Sequence, residues 1–418
     1  MGSKRLEGIK MITKHILMDF AREFSLPANI VEKDYVLGWL LAGIAQNEEL
    51  FTKWIFKGGT CLKKCYFETY RFSEDLDYTL TDKNHINEKF LVNHFKNISQ
   101  WIYEKSGIEI IEDSIRFEIY QNSNEKTAIE GNLNYIGPLQ RRNNPYRIKL
   151  DLTADEILVL KPTLQEVNHP YPDKLPNLFK ANSYQFTEIF AEKIRALSER
   201  ARPRDLYDVI HLFRHAFPEE KPRSIFEILK KKCEYKNIPV PTIQNLTQHP
   251  KLNELENEWS NMLAHQVPML PKREEFWDEL PYMFSWLHGD KTKLAKKPIP
   301  LQGIENLNSS WQPPNMITKW GLLIPLESIR YAGANHLCVK IEYGNETYLI
   351  EPYDLKKTDQ EKLILIAINH LSNERCLFHA EQIQKIEMLN ITFNPKYLIA
   401  LTPLKNNQCY NNSRATIG

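Results

Sequence analysis

Apolar residues recur every three or four positions along the first fifty residues, and this spacing predicts helices on both sides of Pro27. Ile12, Ile16 and Phe20 mark the apolar face of the first helix, and a second face continues to Ile44. The same periodicity predicts helices over residues 60–67, 86–105, 187–200 and 203–217, and helical structure from 218 to 287.

Strands are predicted where apolar and polar residues alternate. The alternation covers residues 76–80, 108–120 and 146–152, and it returns in short runs between 322 and 401. A stretch rich in Pro, Lys and Ser, residues 289–314, has the composition of a linker. The predicted fold class is α+β, in which a small mixed sheet covered by helices precedes a small β-rich C-terminal domain.

Composition narrows the class of protein. The chain has 418 residues, which predicts two or three domains, and its 42% apolar and 26% charged residues are typical of a soluble globular protein. A formal charge of +1 gives no general attraction for nucleic acid, so an RNA contact requires a local basic patch. No apolar run approaches the ~20 residues of a membrane span, so we expect a cytoplasmic protein with no membrane partner.

The candidate chemistry begins with two acidic residues. Asp75 and Asp77 alternate with apolar neighbours in a predicted strand, so both carboxylates project from one face. Carboxylates this close repel each other unless a cation lies between them, and Mg²⁺ favours a few carboxylates combined with phosphate oxygens. A solvated strand face is the alternative interpretation.

A glycine turn just upstream favours the metal interpretation. Gly58 and Gly59 permit a close backbone approach, and Thr60 opens a helix whose free N–H groups can hold a phosphate. A third acid, Asp151, lies in another alternating stretch, and on a neighbouring strand it would complete a two-metal site.

These stretches resemble the nucleotidyltransferase toxins of the AbiEii/AbiGii abortive-infection family, which belong to type IV toxin–antitoxin systems. The resemblance covers residues from about 10 to 290 and rests on KGGT, RFSEDLD, AEKIRAL and RDLYD, which begin at Lys57, Arg71, Ala191 and Arg204. It implies a DNA polymerase β-like nucleotidyltransferase core with helical additions. It also implies an NTP substrate, Mg²⁺ or Mn²⁺, a cognate antitoxin and, as in studied relatives, the tRNA 3′ end as acceptor.

The resemblance also implies roles for individual residues. Metal ligands would be Asp75, Asp77 and Asp151, and the catalytic residues would be Asp75, Asp77, Lys193, Asp205 and Asp208. The NTP-binding residues would be Lys57, Gly58, Gly59, Thr60, Arg71, Ser73 and Lys193. Several alternatives stay open: Arg71 pairs with phosphate or with Glu74, Ser73 binds phosphate or caps the strand entry, and Asp205 is catalytic or a helix N-cap.

The C-terminal stretch, from about residue 327 to 393, resembles a WYL domain, a small SH3-like β-barrel. That resemblance implies an oligonucleotide or protein ligand near Tyr343, Arg375 and His379. The Trp-Tyr-Leu triplet that gives the WYL domain its name is replaced in this chain by Leu363-Ile364-Leu365.

The predicted organisation is a nucleotidyltransferase domain with N-terminal helices (1–215), a helical domain (216–288), a linker (289–316), the WYL-like domain (317–405) and a tail (406–418). The predicted function is a metal-dependent nucleotidyltransferase toxin that modifies RNA, blocks translation and acts in antiviral defence. The alternatives are nucleotidylation of a protein or small molecule, and a nucleotide-sensing regulator that acts through its WYL-like domain.

Overall fold

The computed structural model describes residues 11–67, 71–121, 126–173, 179–216, 222–290, 307–308, 311–314 and 319–402. The chain forms two compact units: a larger unit, Met1–Cys65 with Arg71–Ala295, and a smaller unit, Tyr66–Tyr70 with Lys296–Gly418. In the part of the chain with described structure, no helix is both long and apolar enough to cross a membrane.

Three helices open the larger unit, as the periodicity predicts. They are α1 (Lys14–Glu23), α2 (Ala28–Gln46) and α3 (Glu48–Lys53). The hydroxyl of Thr13 caps α1 by accepting the N–H of Ile16 at 3.3 Å, and Pro27 directly precedes α2. Most of α2 is buried, because it is apolar around nearly its whole circumference.

A mixed sheet of eight described strands forms the centre of the larger unit. The strands are β1 (Trp54–Lys57), β2 (Asp75–Leu80), β3 (Glu109–Ile110), β4 (Arg116–Gln121), β5 (Thr127–Ile136), β6 (Tyr146–Thr153), β7 (Thr163–Glu166) and β8 (Lys180–Ser183). Their order is β3-β5-β6-β2-β1-β8-β7, with β4 paired to β5. Strand β2 runs antiparallel to β1 and parallel to β6, so it joins the two halves of the sheet.

Four of these strands are not predicted by the sequence pattern. β1 is buried throughout and therefore lacks the alternation of a half-buried strand. β5 does alternate, but Gly131, Asn132 and Asn134 interrupt its apolar pattern. β7 and β8 have four residues each, too few for a periodicity to appear.

The remaining helices of the larger unit cover the sheet and extend beyond it. They are α4 (Gly58–Cys61), α5 (Glu88–Ser106), α6 (Phe186–Arg200), α7 (Pro203–Ala216), α8 (Pro222–Lys236), α9 (Ile243–Thr247), α10 (Leu252–Asn257), α11 (Trp259–Leu263), α12 (Arg273–Trp277) and α13 (Leu280–Leu287). The predicted helix over 60–67 begins earlier, at Gly58, and changes into a π-helical turn over Leu62–Tyr66.

The smaller unit consists of one described helix and an antiparallel sheet. Helix α14 (Leu326–Ala334) precedes β9 (Leu337–Tyr343), β10 (Glu346–Lys357), β11 (Leu363–Asn369), β12 (Arg375–His379) and β13 (Ile383–Thr392), in the sheet order β12-β11-β10-β9-β13. Its core includes Cys338, Tyr353, Ile368 and Phe393. The α+β class and the separate β-rich C-terminal domain are thus confirmed, whereas α14 is not predicted by the sequence pattern.

Two predicted segments lie largely or wholly outside the described residues. Of the predicted linker, only 289–290, 307–308 and 311–314 are described, and the predicted tail, 406–418, is not described at all.

Candidate active site

The glycine turn after β1 brings the backbone against a carboxylate. Lys57, the last residue of β1, pairs with Asp77 of β2 in the antiparallel register. Gly58 then adopts a positive φ of 78°, and a Cβ at this position would lie 2.1 Å from Oδ2 of Asp77. Only glycine fits here, because any side chain would require both a strained backbone and displacement of Asp77.

Gly59 allows a second close approach. A Cβ here would lie 2.9 Å from a terminal guanidinium nitrogen of Arg71 and 3.0 Å from the hydroxyl oxygen of Ser73. The hydroxyl of buried Thr60 donates to the backbone carbonyl of Asp75. The Gly-Gly-Thr turn is therefore fixed to the start of β2, and the Thr60 hydroxyl is engaged with the backbone.

Three carboxylates gather at adjacent strands. Asp75 and Asp77 alternate with buried Leu76 and Tyr78, and the parallel register places Asp77 directly opposite Asp151 of β6. Burial and then the charge of Asp151 raise the pKa of Asp77 to about 6, although Lys193 and Lys57 act in the opposite direction. The same two causes raise the pKa of Asp75.

The carboxylates of Asp75 and Asp77 fit a hard cation that also binds ligands from outside the protein, such as phosphate oxygens. Within the described ranges, no three His, Cys, Asp or Glu side chains are placed to hold a metal ion as they stand. Mg²⁺ commonly uses one or two carboxylates plus substrate phosphates, and the mutual repulsion of Asp75 and Asp77 is what such an ion would relieve. Asp151 is less available, because its Oδ1 lies 3.0 Å from Nζ of Lys149.

Asp208 of α7 is the centre of a buried ionic network. It accepts two hydrogen bonds from the guanidinium of Arg71, at 2.8 and 2.9 Å, and Nζ of Lys193 lies 2.7 Å from its Oδ2. Arg71 also donates to the amide oxygen of Gln266 at 2.9 Å. Burial alone would raise the pKa of Asp208, but Arg71 and Lys193 outweigh it and hold that pKa below its usual range.

The Asp208 network bears on two alternatives that the sequence leaves open. Arg71 pairs with Asp208, whereas Glu74 lies within 2.7 Å of Lys33 and 2.9 Å of His265. Asp208 is ionised with both oxygens engaged, so its geometry suits a residue that positions Lys193 rather than one that accepts a proton. Asp205 is the third residue of α7, so it is not the N-cap of that helix, and it accepts two hydrogen bonds from Arg200, at 2.6 and 2.8 Å.

A second network joins Lys57 to helices α6 and α8. Nζ of Lys57 lies 3.2 Å from Glu192, whose other oxygen lies 3.3 Å from Lys232. Lys232 also pairs with Glu188 at 3.0 Å. Burial lowers the pKa of Lys57 and the charge of Glu192 raises it, and the net effect is a raised pKa, so Lys57 stays cationic.

A cavity of about 230 Å³ lies between these networks and is lined by Gly58, Asp77, Lys57, Lys193 and Arg200, among others. A second cavity, of about 670 Å³, shares Glu199 and Arg200 with the first and is also lined by Lys126 and Lys236. The first volume is below the ~300–1,000 Å³ of a typical ligand pocket, so a nucleotide-sized ligand would extend beyond it.

The structure thus brings together the predicted site residues of the larger unit, although Asp205 is connected to the cavity only through Arg200, which lines it. Sequence reasoning missed Glu192, Lys232 and Gln266 as members of the two networks. Glu192 adjoins Lys193 in the AEK stretch, and this is the only sequence signal among them. Gln266 lies 195 positions from Arg71, and no local pattern could connect them.

The predicted ligand residues of the smaller unit do not converge. The ring of Tyr343 packs against that of Phe378 at 5.1 Å, and its hydroxyl donates to Gln382 at 2.7 Å. Arg375 and His379 lie on β12 with Phe378 between them, so strand alternation directs them to the face opposite Phe378. A ligand role for these residues stays a prediction.

Comparison with known proteins gives one family match. The sequence model of the AbiEii family, described as a nucleotidyl transferase toxin of a type IV toxin–antitoxin system, matches residues 39–281. The match contains every predicted catalytic residue and excludes the C-terminal sheet. A comparison with curated protein sequences finds no match.

Two solved structures are similar to the chain. MenT4, a nucleotidyltransferase toxin from Mycobacterium tuberculosis, is 15% identical, with a TM-score of 0.46 over 66% of this chain and 90% of that chain. JHP933 from Helicobacter pylori is 17% identical, with a TM-score of 0.42 over 63% of this chain and 94% of that chain.

Proposed function

The chain belongs to the AbiEii family of nucleotidyltransferase toxins, and we propose that it transfers a nucleotide from an NTP to the 3′ end of an RNA, with tRNA as the acceptor. One observation carries this proposal. Asp75 and Asp77 share a strand face beside the glycine turn, and Lys57 and Lys193 act electrostatically on Asp77. Two carboxylates with cations close by suit a triphosphate and its metal ion.

Mg²⁺ or Mn²⁺ would be held by Asp75 and Asp77, with Asp151 joining them if its pair with Lys149 opens. When bound, such an ion neutralises charge on the transferring phosphoryl group and on the leaving pyrophosphate.

The side chains of the protein then have distinct tasks. Lys193 is a compact point charge that binds a phosphate oxygen. Its position is fixed by Asp208, which is itself held by Arg71. Lys57, held by Glu192, supplies a second positive charge at the cavity wall. Gly58 lets the ligand approach the backbone without displacing Asp77.

In the reaction, the acceptor hydroxyl oxygen forms a bond to the α-phosphorus of the NTP. The bond between that phosphorus and the oxygen that bridges to the β-phosphorus breaks, pyrophosphate leaves with the electron pair of that bond, and the hydroxyl proton passes to solvent water. Catalysis of this step depends on positioning and on electrostatic stabilisation of the transition state, which are the two contributions that the cationic cavity can make.

The biological consequence follows from the acceptor. A tRNA whose 3′ end carries extra nucleotides cannot be aminoacylated, so translation would stop in the cell that makes the toxin. We propose that a cognate antitoxin restrains this activity and that the system acts in antiviral defence. The smaller unit is proposed as a WYL-like module that binds an oligonucleotide or a protein.

A labelled-NTP screen tests the proposal. The protein is incubated with each α-labelled NTP, Mg²⁺ or Mn²⁺, and total tRNA, with the Asp77→Asn variant as the matched inactive control. Label that runs with tRNA supports the proposal, and label that runs with protein, or in a small-molecule product that separates from the NTP by chromatography, assigns a different acceptor. Absence of transfer to any acceptor with every NTP would refute nucleotidyl transfer.

A further inference from the structure

Most of the cations around the candidate active site pair with carboxylates of the protein. Lys193 and Arg71 pair with Asp208, and Lys57 pairs with Glu192. Arg200 pairs with Asp205. These pairs fix the side chains before any substrate binds.

Arg204 is different. Its Nε donates a long hydrogen bond of 3.5 Å to the backbone carbonyl of Met262, and in the described part of the chain it forms no ion pair. The residue is half-buried, so water solvates the guanidinium incompletely. A partly buried guanidinium without an anion is unfavourable, and such groups are usually paired in proteins.

The position of Arg204 places it beside the catalytic groups. It lies in the first turn of α7, four residues before Asp208, so the two side chains share one face of the helix. Asp208 binds Arg71, and the guanidinium of Arg71 lies against Gly59 in the glycine turn. Arg204 therefore lies one helical turn away from a network that reaches the predicted phosphate-binding backbone.

The electrostatics agree with this position. Burial and the like charge of Arg71 lower the pKa of Arg204, which nevertheless stays protonated at neutral pH. Arg204 in turn lowers the pKa of Asp75, against burial and the charge of Asp151, which raise it. Arg204 thus adds a positive charge to the electrostatic surroundings of a candidate metal ligand.

We propose that Arg204, whose guanidinium forms no ion pair with a carboxylate in the described part of the chain, binds a phosphate oxygen of a substrate. The guanidinium fork matches two oxygens of one phosphate. The inference rests on the proposed function, and the phosphate has two sources: the triphosphate of the NTP, or the phosphodiester at the 3′ end of the acceptor.

Equilibrium binding separates these sources and does not require turnover. The full-length wild type, Arg204→Ala and Arg204→Lys are titrated with each NTP in the absence of RNA, and with total tRNA in the absence of NTP. Arg223→Ala is the matched control, because Arg223 is an exposed helical arginine on α8. Circular dichroism and thermal melting check that each variant is folded, and Arg204→Gln replaces Arg204→Ala if the latter is not.

We expect Arg204→Ala to weaken the binding of one probe by about 10- to 100-fold, as for the loss of a hydrogen bond to a charged group. A loss confined to NTP assigns the contact to the triphosphate, and a loss confined to tRNA assigns it to the acceptor. Arg204→Lys should recover part of the affinity, because it keeps the charge but lacks the fork.

Affinities for both probes that equal those of Arg223→Ala would overturn the proposal, and so would a complete lack of recovery in Arg204→Lys. The proposed function can fail separately. A wild type that binds NTP but transfers no label would refute transfer and leave the Arg204 result interpretable.

Discussion

At the scale of single residues, Asp77 carries a carboxylate whose surroundings disfavour its ionised form. Its pKa is raised to about 6, well above the usual aspartate range, because the half-buried carboxylate is incompletely solvated and lies opposite Asp151. A carboxylate with such a raised pKa lowers the stability of the fold at neutral pH. Groups with strongly shifted pKa values are found mainly at functional sites, where a ligand can compensate for the lost stability. The proposed role of Asp77 in metal binding and its destabilising effect on the fold can therefore be measured independently.

The destabilising effect predicts a pH dependence of the free energy of unfolding. An aspartate in the unfolded chain loses its proton near pH 4, whereas folded Asp77 retains it until about pH 6. Its contribution to stability is therefore lost as the pH rises from about 4 to 6, and it stays lost above that. Asp77→Asn should be more stable than the wild type by on the order of 1–3 kcal/mol at pH 7 and by almost nothing at pH 4.

Denaturant unfolding of the metal-free protein at pH 4, 5, 6 and 7 measures this difference for the larger unit. Asp113→Asn serves as the control, since Asp113 is an exposed acid remote in sequence from the site. A stability difference between Asp77→Asn and wild type that stays constant with pH would contradict the raised pKa.

At the scale of elements, helix α7 presents two acidic residues with different surroundings. Asp208 is fully buried between Arg71 and Lys193, which are themselves about 3% and 10% exposed. Asp205 is equally buried, but its partner Arg200 is 46% exposed. The spacing of three residues between Asp205 and Asp208 does not show which of them has the more buried ion pair, because their partners lie on other elements.

This difference predicts unequal costs of substitution. Asp208→Asn leaves two buried cations without their anion and should reduce the free energy of unfolding by about 3–5 kcal/mol. Asp205→Asn should cost roughly 1 kcal/mol, because the guanidinium of Arg200 can turn to water. Chemical denaturation of both variants at pH 7 measures the two values, and equal losses would show that the Arg71–Asp208–Lys193 network is not the stabilising element.

The sequence predicts elements well where a periodicity is long, and poorly where burial or brevity removes it. Helices α5, α6 and α7 have long apolar faces and α2 is a long, largely apolar helix, and each is found where the sequence pattern predicts it. The shared face of Asp75 and Asp77 also follows from strand alternation alone. The parallel register that sets Asp77 against Asp151 depends on two strands more than 70 residues apart, and no local pattern specifies it.

The candidate site likewise combines local motifs, which the sequence reveals, with tertiary contacts, which it does not. The glycine turn and the acidic pair are local motifs and could be identified from their own residues. The contacts of Arg71 with Asp208 and Gln266, and that of Glu192 with Lys232, join residues far apart in the sequence. They form only when α6, α7, α8 and the segment after α11 pack against the sheet. Such pairings are invisible in a single sequence.

At the scale of the whole molecule, the chain has two units with separate cores. The smaller unit has its own cluster, in which Phe393 packs against Tyr353 with ring centroids 5.6 Å apart. Phe393→Ala should therefore destabilise the smaller unit by about 3–5 kcal/mol and leave the unfolding of the larger unit unchanged.

Differential scanning calorimetry tests this independence, with Leu377→Ala as a control at a half-exposed position of β12. We expect the Phe393→Ala substitution to move one of two transitions to lower temperature and to leave nucleotide transfer at the wild-type rate. A single transition that shifts as a whole, or a loss of transfer, would show that the two units are energetically coupled.

The central claim is that the site around Asp75 and Asp77 transfers a nucleotidyl group. The most direct measurement follows NTP labelled on either the α- or the γ-phosphorus, incubated with total tRNA and Mg²⁺, in the wild type and in Asp77→Asn. We expect the α label to appear on RNA and the γ label to be released as pyrophosphate, and we expect Asp77→Asn to reduce both by on the order of 10³-fold. Transfer of the γ label to RNA, or an Asp77→Asn variant as active as the wild type, would contradict the central claim.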